Sequence, residues 1–287
     1  EYTQKLFQTL SLPSIFSNED ELLKLWSNPI TRNELLKKLE DNGFHIIDNY
    51  FSNKDLDKIK LSLLKMLNYI KPTKEKDLQK KYYQIKKFSP ELKSHWYNLA
   101  TKNIDMLQYL HNPNLIKLIK KFFETDVLLS GRPAIHVHDD KNLQLLDPHQ
   151  ETHQISRDSI LLWSSLYDTN KDLGGLTVYK DSHKHGYFKH TLEHPRLGKK
   201  SWTKKYTHVD PKVAARFKKM ELEIKAGAAV LMHSSCLHSS YPLRKKNFVR
   251  IVITERYNPL QKIPYLKNEK APITIPYEGI DYNKIKD

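Results

Sequence analysis

The sequence contains a single cysteine, Cys236, among 287 residues. One cysteine cannot build an intramolecular disulfide framework, and it also excludes zinc sites made of several cysteines. Small disulfide-stapled extracellular domains are therefore excluded. We expect an intracellular protein in the reducing environment of the cytoplasm.

Long apolar runs are also missing. The longest stretches, such as Ile160–Trp163 and Ala226–Met232, are far shorter than the ~20 residues that span a bilayer. The first residues, Glu1–Leu6, show neither the basic segment nor the apolar stretch of a signal peptide. We therefore expect no transmembrane segment. A mean hydropathy of −0.66 with 39% hydrophobic residues fits a globular rather than a disordered chain.

Acidic residues are outnumbered by basic ones, 33 to 48, which gives a net charge of +15. Only 8 of the basic residues are arginine. Two interpretations of this charge stay open: a lysine-rich composition of the source genome, or selection for an anionic partner. The charge run Lys71–Lys87 is expected to be a solvated surface segment rather than a nucleic-acid-binding arm. We expect a small-molecule partner, with the charge favouring an anionic one, and not nucleic acid.

The pattern of apolar residues changes along the chain and predicts one domain over 1–287. Residues 1–126 are mainly helical in pattern, with one strand at Gly43–Phe51. Residues 127–257 contain short strand-like runs separated by turns, as in an antiparallel sandwich or barrel. Within them, 186–213 is a polar insertion that we expect to act as a lid, and 258–287 is expected to wrap the surface. The predicted strands are Ile135–His138, Leu143–Leu146, Ser159–Leu166, Leu176–Tyr179, Leu222–Ile224, Ala228–His233 and Val249–Tyr257.

A first candidate for chemistry is the triplet His149-Gln150-Glu151. Residues i and i+2 of a strand point to the same face, so His149 and Glu151 can reach one metal ion. With 14 histidines in the chain, such a triplet also arises by chance.

A second candidate begins with the turn at Gly227, which leads through an apolar strand to His238. Twelve residues later, Arg250 lies in the middle of the apolar strand Val249–Tyr257. Burying an arginine is costly unless an anion meets it, and a guanidinium is well matched to a carboxylate. An arginine on a solvated strand face is the alternative interpretation.

Together these residues supply two histidines, one carboxylate and one inward arginine. A 2-His-1-carboxylate triad leaves adjacent positions open on Fe(II), as non-haem oxygenases require. Two positions suit a bidentate 2-oxo acid and a third suits O₂. The arginine is then placed for the far carboxylate of 2-oxoglutarate.

Several segments resemble the phytanoyl-CoA dioxygenase family in their order and spacing. That family shows a His-x-Asp, a strand with Trp, a Gly-x-Leu turn, a Ser-His followed by Gly, and a distal His-x-Ser with Arg about eleven residues on. An N-terminal strand before a helix is also similar. The resemblance spans roughly 40–257. Its matching segments here are 42–51, 149–151, 158–166, 174–186, Gly227, His238, Ser240 and Arg250.

The resemblance implies a mainly β fold: a double-stranded β-helix (a jelly-roll, cupin-like core) supported by N-terminal helices. It implies Fe(II), 2-oxoglutarate and O₂ as cofactor and cosubstrates. The iron ligands carry over to His149, Glu151 and His238, and the cosubstrate contacts to Ser240 and Arg250. Two features depart from the family: Glu stands where Asp is commoner, and the His-to-Arg spacing is 12.

Other histidines compete for these roles. His153 would be a ligand only if its segment were helical. His233 also opens a His-x-Ser, which makes it an alternative distal ligand, although its spacing to Arg250 fits the family poorly. The cluster His136, His138 and Asp139 is expected to line or leave a barrel strand, with His138 the candidate for a 2-oxoglutarate or substrate contact.

Three functions follow from these residues. The leading one is an Fe(II)/2-oxoglutarate-dependent hydroxylase. Glu151 argues against halogenation, because the related halogenases lack the carboxylate ligand. A non-catalytic, cupin-like module that binds an anionic sugar or nucleic acid is the alternative, and a zinc hydrolase is a third. The hydrolase leaves Arg250 without a role.

Overall fold

A computed structural model gives the fold, and it describes residues 29–88, 103–129, 134–140, 146–151, 159–191 and 208–260. Within these ranges, no helix is long and apolar enough to cross a membrane. The helices are α1 (Pro29–Asn42), α2 (Asn53–Ile70), α3 (Leu78–Phe88), α4 (Ile104–Leu110), α5 (Pro113–Phe123) and the short α6 (Pro211–Ala214).

The strands follow one another mainly after α5, as the sequence predicts. They are β1 (Phe44–Ile47), β2 (Val127–Leu129), β3 (Ala134–Asp139), β4 (Ile160–Ser165), β5 (Gly175–Tyr179), β6 (His190–Thr191), β7 (His208–Val209), β8 (Lys219–Glu221), β9 (Ala229–His233), β10 (His238–Tyr241) and β11 (Val249–Pro259).

The large sheet has the strand order β1-β9-β4-β11-β2, and β3 also pairs with β11. The smaller sheet has the order β10-β5-β8, and β6 pairs with β7. Every pairing is antiparallel. Two facing antiparallel sheets with helices outside the larger one form the expected jelly-roll core.

Local sequence explains how the helices form. Ser52 and Asp55 make a capping box at the start of α2, in which Ser52 Oγ accepts from Asp55 N and Asp55 accepts from Ser52 N. Asn112 caps α5, whose first residue is Pro113, a residue with no amide to leave unsatisfied. Both helices then bury apolar residues in the core cluster that also contains one face of the large sheet.

Strand alternation divides the core in two. One set of side chains from the large sheet packs against the helices, among them Ile135, Leu162, Ile251 and Ile253. The alternate set faces the smaller sheet across the barrel interior, where it meets Val178 of β5; among this set are Leu161, Trp163, Val230, Met232 and Val252. On β11, the inward positions therefore include 250, 252, 254 and 256.

Two predictions of local structure are wrong. Within Lys71–Lys87, α3 buries Leu78, Tyr82 and Ile85, because an i, i+4, i+7 apolar stripe packs against the core while most lysines face solvent. The segment Leu222–Ile224 buries both of its apolar ends but is not a strand. There, Ile224 exchanges hydrogen bonds with Thr169 instead, and β8 ends at Glu221. Most of the predicted strand Leu143–Leu146 lies outside the described residues.

Candidate metal centre and cosubstrate pocket

His149 and His238 lie directly opposite each other across a β-bridge. His149 N donates to His238 O over 2.9 Å, and His238 N donates to His149 O over 3.0 Å. Residues paired in this way project to the same face of a sheet. His238 is also paired with Val178, whose side chain faces the barrel interior. Both imidazoles therefore enter the interior, with ring centroids 4.2 Å apart.

Glu151 completes the cluster. Its amide donates to Ser234 O over 3.1 Å, which fixes the main chain beside the turn that follows β9. Its Oε1 lies 3.6 Å from His149 Nε2 and 3.7 Å from His238 Nε2. All three residues are buried, and one ligand atom from each lies within 4.8 Å of the others. Among the described residues, this is the group of histidine, cysteine and acidic side chains that can hold a metal ion.

Hydrogen bonds to Nδ1 of His149 and His238 determine which imidazole nitrogen of each ring is available to a metal. His149 Nδ1 donates to Asp147 O over 2.7 Å, and His238 Nδ1 donates to Cys236 O over 3.0 Å. A carbonyl only accepts, so each Nδ1 carries the proton and each neutral ring presents the Nε2 lone pair to the cluster. Partners of this kind orient histidine ligands in metal sites.

The electrostatics favour the ligand forms of these groups. Burial, together with the neighbouring His149, lowers the pKa of His238, which favours its neutral ring. Burial alone would raise the pKa of Glu151, but Arg256 and the two histidines outweigh it and hold that pKa well below its ordinary value. A neutral imidazole and an ionised carboxylate are the states that bind a cation.

Arg256 is a site residue that the sequence interpretation missed. It lies on β11, and its Nε donates to Oε2 of Glu151 over 2.8 Å. The inward position of Arg256 could have been predicted from the sequence. The same two-residue alternation that places Arg250 inward also places Arg256 inward, six residues later.

Arg250 enters the interior from the other end of the same inner face of β11. The residue is 2% exposed, and its guanidinium reaches across the barrel to the turn before β5, where it lies against Gly174. Nε and Nη1 are buried and have no hydrogen-bond partner in the part of the chain that the structure describes. Burial lowers the pKa of Arg250 to about 10, which still leaves it charged at neutral pH. A buried cation with unused donors fits a carboxylate ligand.

Ser240 and His138 also lie on inner faces of the barrel. Ser240 is two residues beyond His238 on β10 and pairs with the inward Leu176, so it shares the inner face with His238. His138 on β3 is the register partner of Arg250. The structure thus brings the six predicted site residues to one interior: His149, Glu151, His238, Arg250, Ser240 and His138.

The other histidines weighed as ligands are not part of the three-residue cluster among the described residues. His233 ends β9, where its Nδ1 bonds Ser235 Oγ over 2.5 Å, and it is not part of the three-residue cluster. His136 faces the interior on β3 and lies 3.3 Å from Thr254 Oγ1. His183 contacts the Glu40 carbonyl, which ties the turn after β5 to the end of α1. His153 lies outside the described residues.

The insertion 186–213 is fixed to the segment 148–150 at both of its described ends. Gln150 accepts from Phe188 N over 2.9 Å and donates to Gly186 O over 2.9 Å. At the other end, Val209 N donates to Pro148 O over 2.7 Å. Residues 192–207 of the insertion lie outside the described part of the chain.

A jelly-roll whose interior holds two histidines, one carboxylate and a buried arginine is the arrangement of the 2-His-1-carboxylate non-haem iron oxygenases. The chain belongs to the phytanoyl-CoA dioxygenase (PhyH) family, whose profile matches residues 39–250. This confirms the resemblance seen in the motifs. A search of curated protein sequences gives no significant match.

Solved structures share the fold at low sequence identity. The epimerase SnoN, in complex with Fe³⁺, alpha ketoglutarate and nogalamycin RO, is 12% identical with a TM-score of 0.56, over 81% of this chain and 85% of that one. The apo non-heme monooxygenase ThoJ is 14% identical with a TM-score of 0.53, over 78% and 77%. AviO1 from Streptomyces viridochromogenes Tue57 is 15% identical with a TM-score of 0.52, over 81% and 97%. These likenesses confirm the predicted fold class.

Proposed function

We propose that this protein is an Fe(II)- and 2-oxoglutarate-dependent dioxygenase. It hydroxylates an unactivated carbon of a small, anionic metabolite or biosynthetic intermediate and releases succinate and CO₂. One observation carries the proposal: the buried His149, Glu151 and His238 share the barrel interior with Arg250, a buried cation that lacks a partner for two of its donors among the described residues.

The metal ligands in this proposal are His149 Nε2, His238 Nε2 and Glu151 Oε1. Their donor set suits Fe(II) and leaves coordination positions for small molecules. Iron supplies the activation of O₂ that the protein's own side chains lack. SnoN, which shares the fold, was solved with Fe³⁺ and alpha ketoglutarate (2-oxoglutarate), in agreement with this choice of metal and cosubstrate.

The cosubstrate lies along the inner face of β10 in this proposal. Glu151, with Arg256, lies near the start of β10, beside Ser234. Arg250 lies near its end, beside Gly174 and Leu243. Ser240 belongs to β10 itself, on the same face as His238. Arg250 therefore receives the far carboxylate of 2-oxoglutarate, Ser240 assists it, and His138 lines the same pocket.

The apolar lining has a function as well. Leu161, Trp163, Val178 and Val230 surround the interior with side chains that are at most 8% exposed. Such a lining excludes bulk water, which strengthens the charge–charge contacts and protects reactive species from side reactions. The basic net charge supports an anionic substrate, and a lid role for the 186–213 insertion stays a prediction.

Anaerobic reconstitution tests the proposal directly. Fe(II) with 2-oxoglutarate should give a weak visible charge-transfer band, and readmitting O₂ should yield succinate. His149→Ala or His238→Ala should abolish the band. Arg250→Leu should keep iron binding but raise the 2-oxoglutarate requirement by about 10²-fold, since a buried charge-assisted contact is worth ~2–4 kcal/mol. A protein that binds Zn²⁺ yet gives neither band nor succinate would instead be a hydrolase or a binding module.

A further inference from the structure

We propose that Arg256 is a positioning residue that holds Glu151 with one oxygen, Oε1, turned toward the metal. The inference rests on the proposed function, because it takes His149, Glu151 and His238 as the metal ligands. The two carboxylate oxygens have separate partners. Oε2 accepts from Arg256 Nε over 2.8 Å, whereas Oε1 lies 3.6 and 3.7 Å from the two histidine Nε2 atoms.

The contact is a buried ion pair. The side chain of Arg256 is 9% exposed and that of Glu151 is 5% exposed. Removing one member of such a pair leaves an uncompensated buried charge, and charge-assisted hydrogen bonds of this kind are strongly directional. The carboxylate is therefore held in one orientation before any metal arrives.

Strand geometry delivers both partners independently of the metal. Arg256 is an inward position of β11, anchored by pairing with Leu161 of β4. The main chain of Glu151 is anchored by its bond to Ser234 O. The longer side chain of glutamate, where the family more often has aspartate, lets the carboxylate reach both Arg256 and the histidines.

The contact with Arg256 also limits how many coordination positions Glu151 can occupy. A carboxylate with both oxygens free can bind a metal through both and occupy two positions. With Oε2 engaged by Arg256, Glu151 supplies one, and the positions that the 2-oxo acid and O₂ need stay open.

Charge repulsion between Arg256 and the metal would change the metal affinity in the opposite direction. The guanidinium is a cation close to the metal, so by charge repulsion alone its removal would tighten metal binding. Outer contacts that orient metal ligands typically contribute 10- to 100-fold to metal affinity. The inference requires orientation to outweigh repulsion, and this makes the sign of the effect decisive.

Calorimetric titration of the metal-free, full-length protein with Co²⁺ tests this, without any catalytic turnover. The variants are Arg256→Gln, which removes the charge, and Arg256→Lys, which keeps the charge but lacks the Nε donor. Arg250→Leu is the matched control, because it removes a buried guanidinium from the same face of the same strand. Thermal unfolding without metal checks that each variant folds. If Arg256→Gln does not fold, the Co²⁺ affinity of Arg256→Lys decides the question.

We expect Co²⁺ affinity to fall about 10- to 100-fold in Arg256→Gln, with Arg256→Lys between it and wild type, and the visible Co²⁺ bands to change. Arg250→Leu should bind Co²⁺ as wild type does. Unchanged or tighter Co²⁺ binding by the Arg256 variants would overturn the positioning role of Arg256 and leave the proposed function intact. A wild-type protein that binds neither Co²⁺ nor Fe(II) would overturn the proposed function as well, so the two failures are distinguishable.

Discussion

The guanidinium of Arg250 lies against the backbone of Gly174, on the opposite side of the barrel. A Cβ placed at position 174 would be 2.8 Å from Arg250 Nη1 and 2.9 Å from Leu243 N. Gly174 also has a φ of +70°, a conformation that side chains other than glycine's disfavour. The turn therefore needs glycine for two reasons, and one of them is the arginine that we assign to the cosubstrate.

Gly174→Ala should weaken 2-oxoglutarate binding. The new methyl group has no room unless Arg250 or the Leu243 backbone moves, and displacing the guanidinium by even a few tenths of an ångström misaligns its donors. We expect the dissociation constant for 2-oxoglutarate to rise about 10-fold, as measured by the anaerobic charge-transfer band.

Gly186→Ala is the matched control for that variant. Gly186 has a φ of +71°, and nothing in the described part of the chain lies within 4 Å of the position that a Cβ would take there. Both variants should lose about 1–2 kcal/mol of stability through backbone strain. Only Gly174→Ala should affect 2-oxoglutarate. Equal affinities in the two variants would show that the contact with Arg250 does not position it.

Part of the site was predictable because strand alternation is a local property, and it gives the inward phase of Arg250 on β11. The strand expected over 149–151 does not form: His149 makes an isolated bridge with His238, and Glu151 lies outside any strand. The approach of their side chains depends on main-chain bonds to His238 and Ser234, which are distant in sequence. Arg256 obeys the same alternation, and it was missed because the alternation was followed only as far as one arginine. The partnership of Gly174 with Arg250 has no such signal, since it joins residues 76 positions apart through the closure of the barrel.

The burial of helix α3 was not predicted, although its signal is local. Its lysines dominate the composition, yet Leu78, Tyr82 and Ile85 recur at helical spacing and are buried. The side chain of Gln79 then bonds both the amide and the carbonyl of Val249. Charge counted along the chain obscures a stripe that becomes clear only when the residues are placed around a helix.

Gln150→Leu should destabilise the fold, although Gln150 is not one of the proposed metal ligands and only lies between two of them, His149 and Glu151. Gln150 is fully buried, and its amide bonds Gly186 O, Ser235 O and Phe188 N. Losing it leaves the buried Ser235 carbonyl unsatisfied and removes two partly buried bonds, to Gly186 and Phe188. We expect a cost of about 1–3 kcal/mol in the free energy of unfolding. Urea unfolding of the metal-free protein measures this. The exposed Gln84→Leu serves as control and should change stability by less than about 0.5 kcal/mol. Similar effects in both would contradict this anchoring role.

Stability should fall as the solution is acidified through the ordinary histidine pKa of 6.5. Burial, the largest cause, lowers the pKa of both His183 and His45. Below pH 6.5 the unfolded chain therefore binds more protons than the folded one, so the free energy of unfolding decreases as pH falls. The contribution of each group is fully present above that pH and reaches a slope of at most about 1.4 kcal/mol per pH unit. Urea unfolding across this range should show a shallower slope for His183→Gln. An unchanged slope would mean that His183 is not titrating as its burial implies.

Glu151→Asp tests whether the length of the carboxylate ligand matters. Aspartate keeps the charge, but shortening the side chain by about 1.5 Å prevents it from reaching both Arg256 and the two histidines while the main chain stays bonded to Ser234. We expect Co²⁺ affinity to fall about 10- to 100-fold, because either the ligand contact or its orienting contact is lost. Glu151→Gln keeps the length and removes the charge, and it should bind Co²⁺ more weakly still, since the neutral amide oxygen is a poorer ligand and Arg256 loses its counter-charge. Calorimetric titration of the metal-free variants with Co²⁺ separates the effect of side-chain length from the effect of side-chain charge. Wild-type affinity in Glu151→Asp would show that the extra methylene of Glu151 is dispensable and that Arg256 can follow a shorter partner.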